Sequence, residues 1–141
     1  MSNQIAGVWR LRSAERTAHG HTSHWFGADP DGLLIFTEDL HFTEAITRTD
    51  LPAVASGDRL STTPEEDRAL ARGTLGSYGT YTTSDDGSLA GQHVLGSTFP
   101  NWTGDVRTRK ELQLAVDGDR MSESFQRPEG TRIVIIWERV H

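Results

Sequence analysis

Cysteine is absent from this chain, and with it go disulfides, thiolate metal sites and a thiol nucleophile. Lysine is nearly absent too. Lys110 is the only one, and the remaining cations are arginines, outnumbered by acids for a net charge of −6. They gather in no run, so neither nucleic acid nor anionic membrane is an expected partner. Long hydrophobic runs are also missing. No stretch approaches a membrane span, and Met1-Ser2-Asn3-Gln4 opens no apolar segment of signal-peptide length, so a soluble cytoplasmic protein is expected.

What remains is 141 residues without a linker or low-complexity tract, read as one domain over 1–141, monomer or homodimer. An apolar fraction of 35% is lean for a helical bundle, whereas 14 glycines suit short strands joined by turns. Alternation places strands at 7–13, 33–37, 40–48, 75–83, 92–99, 106–116, 120–125 and 131–140. Residues 15–32 show no sustained period and read as a long loop. Thr63-Pro64-Glu65-Glu66 is a capping box with proline at the first helical position, so a short helix is expected over 64–72, ended by Gly73.

Eight strands and one helix read as an antiparallel up-and-down barrel, the arrangement that removes sheet edges. The tight turns at 38–39, 85–87 and 117–118 fall at one end by simple alternation. The long connections 15–32, 49–73 and 99–106 fall at the other, as a mouth. Trp9 and Arg139 both belong at the closed end, where a guanidinium over an indole contributes about 1–2 kcal/mol if shielded from water.

The inward faces carry the candidate chemistry. Phe42 and Ile46 set the phase of their strand and put Glu44 between them; Met121 and Phe125 do the same for Glu123. In the strand 92–99, His93, Leu95, Ser97 and Phe99 share one face, taken as inward; Val94 offers the opposite phase. Leu112, Leu114 and Val116 carry Lys110 inward. At ~3.3 Å per residue and a tilt of ~40°, Glu44, His93, Glu123 and Lys110 share a layer on the order of 10–15 Å above the base. Two carboxylates, an imidazole and an amine at one depth are the groups proton transfer requires. The plainer reading is a satisfied polar network in the core. Ligand contacts are expected from Phe42, Ile46, Tyr81, Leu95, Ser97 and Phe99 on the wall, and from Trp25, Phe26 and Trp102 at the mouth. No metal and no cofactor are expected: His19, His21 and His24 sit on no regular element, with no carboxylate fixed beside them.

Gly7-x-Trp9 on the first strand with Arg139 on the last resembles the structural signature of lipocalins. Phe26 to Thr37, Thr63 to Glu66, Gly79-Thr80-Tyr81, Phe99 to Trp102, Asp117 to Arg120 and Trp137-Glu138-Arg139 together resemble the small bacterial lipocalin-like domain family, over nearly the whole chain. The excess of arginine over lysine fits a GC-rich bacterial genome. The resemblance implies a barrel with a small-molecule cavity and no single shared reaction. It also implies a glycine where this chain has Leu40, and small or apolar residues where it has Glu44 and Glu123. The acids are therefore read as a specialisation. The expected function is a cofactor-free isomerase or cyclase acting on a small, mostly apolar metabolite (polyketide- or terpenoid-like), with Glu44 and His93 as acid and base. A carrier without chemistry and a protein-interaction module using the mouth loops are the alternatives.

Overall fold

The computed structural model describes residues 3–141. Its strands are β1 (Gly7–Ala18), β2 (His21–His24), β3 (Asp31–Phe36), β4 (His41–Thr47), β5 (Thr74–Thr83), β6 (Leu89–Ser97), β7 (Val106–Thr108), β8 (Leu112–Asp117), β9 (Arg120–Gln126) and β10 (Arg132–Arg139). One helix, α1 (Pro64–Gly73), precedes β5, and a 3-10 turn spans Pro100–Trp102. The strands form one antiparallel sheet in the order β7-β6-β5-β4-β3-β1-β10-β9-β8, with β2 added on β1. Curling brings β7 and β8, the two ends of that order, to either side of the turn 109–111. The barrel is thus nearly closed.

Among the described residues the count is ten strands, not eight, for two reasons. The stretch 15–32 is loop only over 25–30: β1 runs on to Ala18 and folds back as β2 through His19-Gly20, both at positive φ. Left-handed backbone at both turn residues matches the twist of a two-residue hairpin. The expected strand 106–116 is broken at 109–111, where the Glu111 carboxylate accepts from the Thr108 backbone N–H (2.8 Å) and hydroxyl (2.6 Å).

The closed end is built as the sequence predicts. Trp9 is fully buried, with the Arg139 guanidinium 4.2 Å from its ring centroid. Arg139 donates to the carbonyls of Ala6 (2.8 Å) and Gln4 (3.0 Å), and Trp9 donates to Ile5 (2.9 Å). Gly7 is required there: at φ +134° a Cβ would stand 2.7 Å from Arg139 Nη1. Tyr81 packs edge-on against Phe36 and donates its hydroxyl to the Thr37 carbonyl, so its polar end is committed to the base.

Helix α1 forms because its cap is complete. The Thr63 hydroxyl accepts from Glu66 N–H (3.1 Å), and the Glu66 carboxylate accepts from Thr63 N–H (2.9 Å). Its exposed acids lie in the first turn and Arg72 in the last, as the helix dipole favours. Gly73 ends it under Leu51, whose methyl would lie 2.8 Å from any Cβ. No helix among the described residues is long and apolar enough to cross a membrane.

Candidate functional site

Glu44 and Glu123 both turn inward, as their neighbours dictate. Phe42 and Ile46 are buried on either side of Glu44, as are Met121 and Phe125 beside Glu123. The two acids stand on β4 and β9, with β3, β1 and β10 between them along the sheet. Glu44 is enclosed by protein yet keeps some accessible surface, as a side chain facing internal space does. Its row continues in register through Ser77 to Ser97, a polar stripe across three adjacent strands.

Burial pushes the Glu44 carboxyl up to about 8, with the charge of Glu123 adding to the effect and Arg107 opposing it. Burial also raises Glu123, but two groups favour its anion. The Trp137 indole N–H donates to Oε1 at 2.9 Å, and the Arg107 guanidinium attracts it. Of the pair, Glu44 keeps a proton near neutrality, and only Glu123 has a hydrogen-bond donor turned toward its anion.

Arg107 completes this layer, and sequence reasoning missed it. It is 8% exposed, donates to Gln92 Oε1 (3.2 Å), and stacks 4.3 Å from the Phe125 ring centroid and 5.0 Å from that of Trp102. Extending the phase of Leu112, Leu114 and Val116 back through 106–108 turns Arg107 outward. The break at 109–111 reverses that phase and leaves Lys110 exposed in the turn, away from the layer. The readable signal was Thr108-x-x-Glu111, which has the spacing of the Thr63–Glu66 cap.

The expected imidazole is also absent from the layer. His93 is exposed, while Gln92 and Val94 are buried on either side. Two register shifts against β5, between Thr82 and Thr83 and between Tyr78 and Gly79, defeat simple alternation along β6. Inward positions become Leu89, Gln92, Val94 and Ser97. Leu95 falls at the second shift and is 46% exposed. Ser97 keeps the inward side opposite Ser77, with its hydroxyl accepting from Phe99 N–H at 3.0 Å. His21 and His24 lie exposed on β2, and among the described residues no group of three or more potential ligands could hold a metal ion.

Above the layer opens a cleft of about 1240 Å³ between the end of α1, the 3-10 turn, the loop after β2 and the β9–β10 turn. Trp25, Phe26, Phe99 and Trp102 line it, with Leu75 and Ile133 beneath. Trp25 lies 4.5 Å from Phe26 and 6.4 Å from Trp102 between centroids; Phe99 meets Trp102 edge-on at 5.4 Å. The mouth aromatics are thus where the sequence places them, although Phe99 reaches the cleft from the rim. Phe42, Ile46 and Tyr81 belong to the packed core and do not line the cleft. Trp102 is the shared wall: one part faces the cleft, and Arg107 and Phe125 lie against it from the barrel interior.

A nearly closed β-barrel with a capped base and an aromatic cleft at its mouth is a small-molecule-binding architecture. The chain belongs to the lipocalin-like domain family, whose model matches residues 6–140. Among solved structures it is similar to a redesigned beta barrel, at 12% identity and a TM-score of 0.49, covering 100% of this chain and 98% of that one. Comparison with curated proteins finds no match.

Proposed function

We propose that the chain is a cofactor-free isomerase or cyclase acting on a small, mostly apolar metabolite, polyketide- or terpenoid-like, taken in through the mouth cleft. The observation that carries this reading is the Glu44–Glu123–Arg107 layer. A buried acid costs several kcal/mol unless compensated, and the family resemblance supplies no such acid at these positions. In the reading proposed here, Glu44 donates its proton to a carbonyl oxygen or alkene carbon of the bound molecule. After the double bond shifts or the ring closes, the resulting carboxylate recovers a proton from an adjacent carbon. Atoms and electrons balance without an oxidant or reductant. Burial and the neighbouring Glu123 carboxyl hold the proton on Glu44 beforehand, and the aromatic cleft restricts the conformations the substrate can take. His93 has no part in this mechanism.

A carrier without chemistry is favoured by one observation: neither acid lines the cleft, so a ligand resting there does not touch Glu44. Catalysis requires the substrate to pass deeper than the cleft lining. The two readings part in heavy water. Incubating polyketide- and terpenoid-like compounds with the protein in D2O should place deuterium at carbon, read by mass spectrometry. Glu44→Gln should slow that incorporation at least ~100-fold with ligand retention unchanged. Retention without any incorporation leaves the carrier.

A further inference from the structure

The charge of the cleft runs against the charge of the molecule. On a chain of net charge −6, its lining carries Arg16, Arg72 and Arg127 against Glu129 as the one acid. The Arg16 and Arg72 side chains form no ion pair with a described residue. Arg127 is partly buried, held over the rings of Phe125 and Trp102 at 5.5 and 5.7 Å. Its carboxylate neighbours stand at 3.8 Å (Asp105) and 3.6 Å (Glu129), and its guanidinium donates no hydrogen bond to a described residue. That cation is held by two long ion pairs yet makes no side-chain hydrogen bond to a described residue.

The wall behind the cleft, around Trp102, collects orphaned donors. Among the described residues, the buried side-chain polar atoms without a hydrogen-bond partner are Trp102 Nε1, Arg107 Nε and Arg107 Nη2. All three are N–H groups, and all belong to the cluster around Trp102. Arg107 Nη2 has Asp105 Oδ2 at 3.5 Å, an ion-pair distance without hydrogen-bond geometry. Leaving buried donors unpaired is costly, so a wall that concentrates them favours negative charge beside it. No orphaned acceptor accompanies them to attract a donor instead.

We propose that the cleft takes an amphipathic organic anion, a carboxylate or sulfonate on a rigid aromatic or alicyclic body. The body rests on Trp25, Phe26 and Trp102, and the anionic oxygens are held by Arg127, with the positive charge of Arg107 adding from the interior side of Trp102. Arg16 and Arg72 at the rim draw the anion in. The inference rests on the reading of the cleft as a small-molecule site and names the chemistry that site selects; it does not depend on whether Glu44 transfers a proton.

Two fluorescent probes with one body separate the charge from the rings: 8-anilinonaphthalene-1-sulfonate and the neutral N-phenyl-1-naphthylamine. The folded protein should bind the sulfonate at least tenfold more tightly. Arg127→Gln should weaken the sulfonate at least tenfold and the neutral probe less than twofold. Arg72→Gln, at an exposed position that cannot compromise folding, should weaken the sulfonate two- to threefold. Glu44→Gln should leave both affinities in place whether or not it abolishes deuterium incorporation. Equal affinity for the two probes, or an equal loss of both in Arg127→Gln with Arg72→Gln silent, would overturn the anion assignment and leave the small-molecule reading standing. Binding of neither probe would sink both.

Discussion

Glu44 couples the site to the stability of the whole chain. Its carboxyl is raised to about 8 in the fold, above an ordinary value of 4.5. Between those values the folded state holds a proton that the unfolded chain has released, so stability is fully present below about pH 4.5 and falls as pH rises toward 8. Glu123 and Arg107 are the ionisable groups that act on it, the first raising it and the second lowering it. Glu44→Gln keeps the hydrogen-bonding shape and removes the titration. Urea unfolding from pH 5 to 8.5 should show wild type losing about 1–3 kcal/mol and Glu44→Gln losing markedly less, with the variant the more stable protein at pH 8.5. Parallel curves would place the Glu44 proton elsewhere. Leu40 carries a second residue-scale cost. It sits at φ 71° after a tight turn, closed by Leu40 N–H to Thr37 (3.2 Å) and Thr37 N–H to His41 (2.8 Å). Left-handed backbone is strained for a branched side chain, and the family resemblance implies glycine there. Leu40→Gly should stabilise by about 0.5–1 kcal/mol, with unchanged spectra; a loss of stability would show that the half-exposed leucine contributes more by packing than it costs in strain.

At the scale of elements, legibility followed regularity. β4 and β9 alternate without interruption, so Glu44 and Glu123 could be placed from Phe42, Ile46, Met121 and Phe125 alone. The helix was legible because Thr63 and Glu66 announce it chemically. β6 was not, because its two register shifts are backbone events with no side-chain signature except the glycines they use. Gly79 is one: a Cβ there would stand 1.9 Å from the His93 carbonyl oxygen, so the strands approach too closely for any other residue. Arg107 was hidden by a strand break whose signal, Thr108-x-x-Glu111, reads as an ordinary strand end. The β6 phase has a direct test. Val94→Asp would bury an unpaired carboxylate and should cost more than about 3 kcal/mol, whereas Leu95→Asp should stay within about 0.5 kcal/mol. The reverse order in thermal melts would restore His93 to the interior.

The molecule as a whole divides its polarity by depth. The base is sealed by Trp9, Arg139 and Tyr81, each with its polar atoms paired. The middle holds two acids and one arginine. The mouth combines aromatic rings with cations. Each layer needs the one below: without a sealed base water would reach Glu44 and its proton would leave near the ordinary carboxylate value; without Trp102 the Arg107 guanidinium would lose a ring that packs on it. The barrel thus serves less as a bag than as the wall that withholds solvent from one carboxyl group. Carbon-13 NMR of the glutamate side-chain carboxyls, assigned with Glu44→Gln and followed from pH 4 to 9.5, tests that most directly. Glu44 should titrate at about 8. A Glu44 midpoint near the ordinary value of 4.5 would contradict the account.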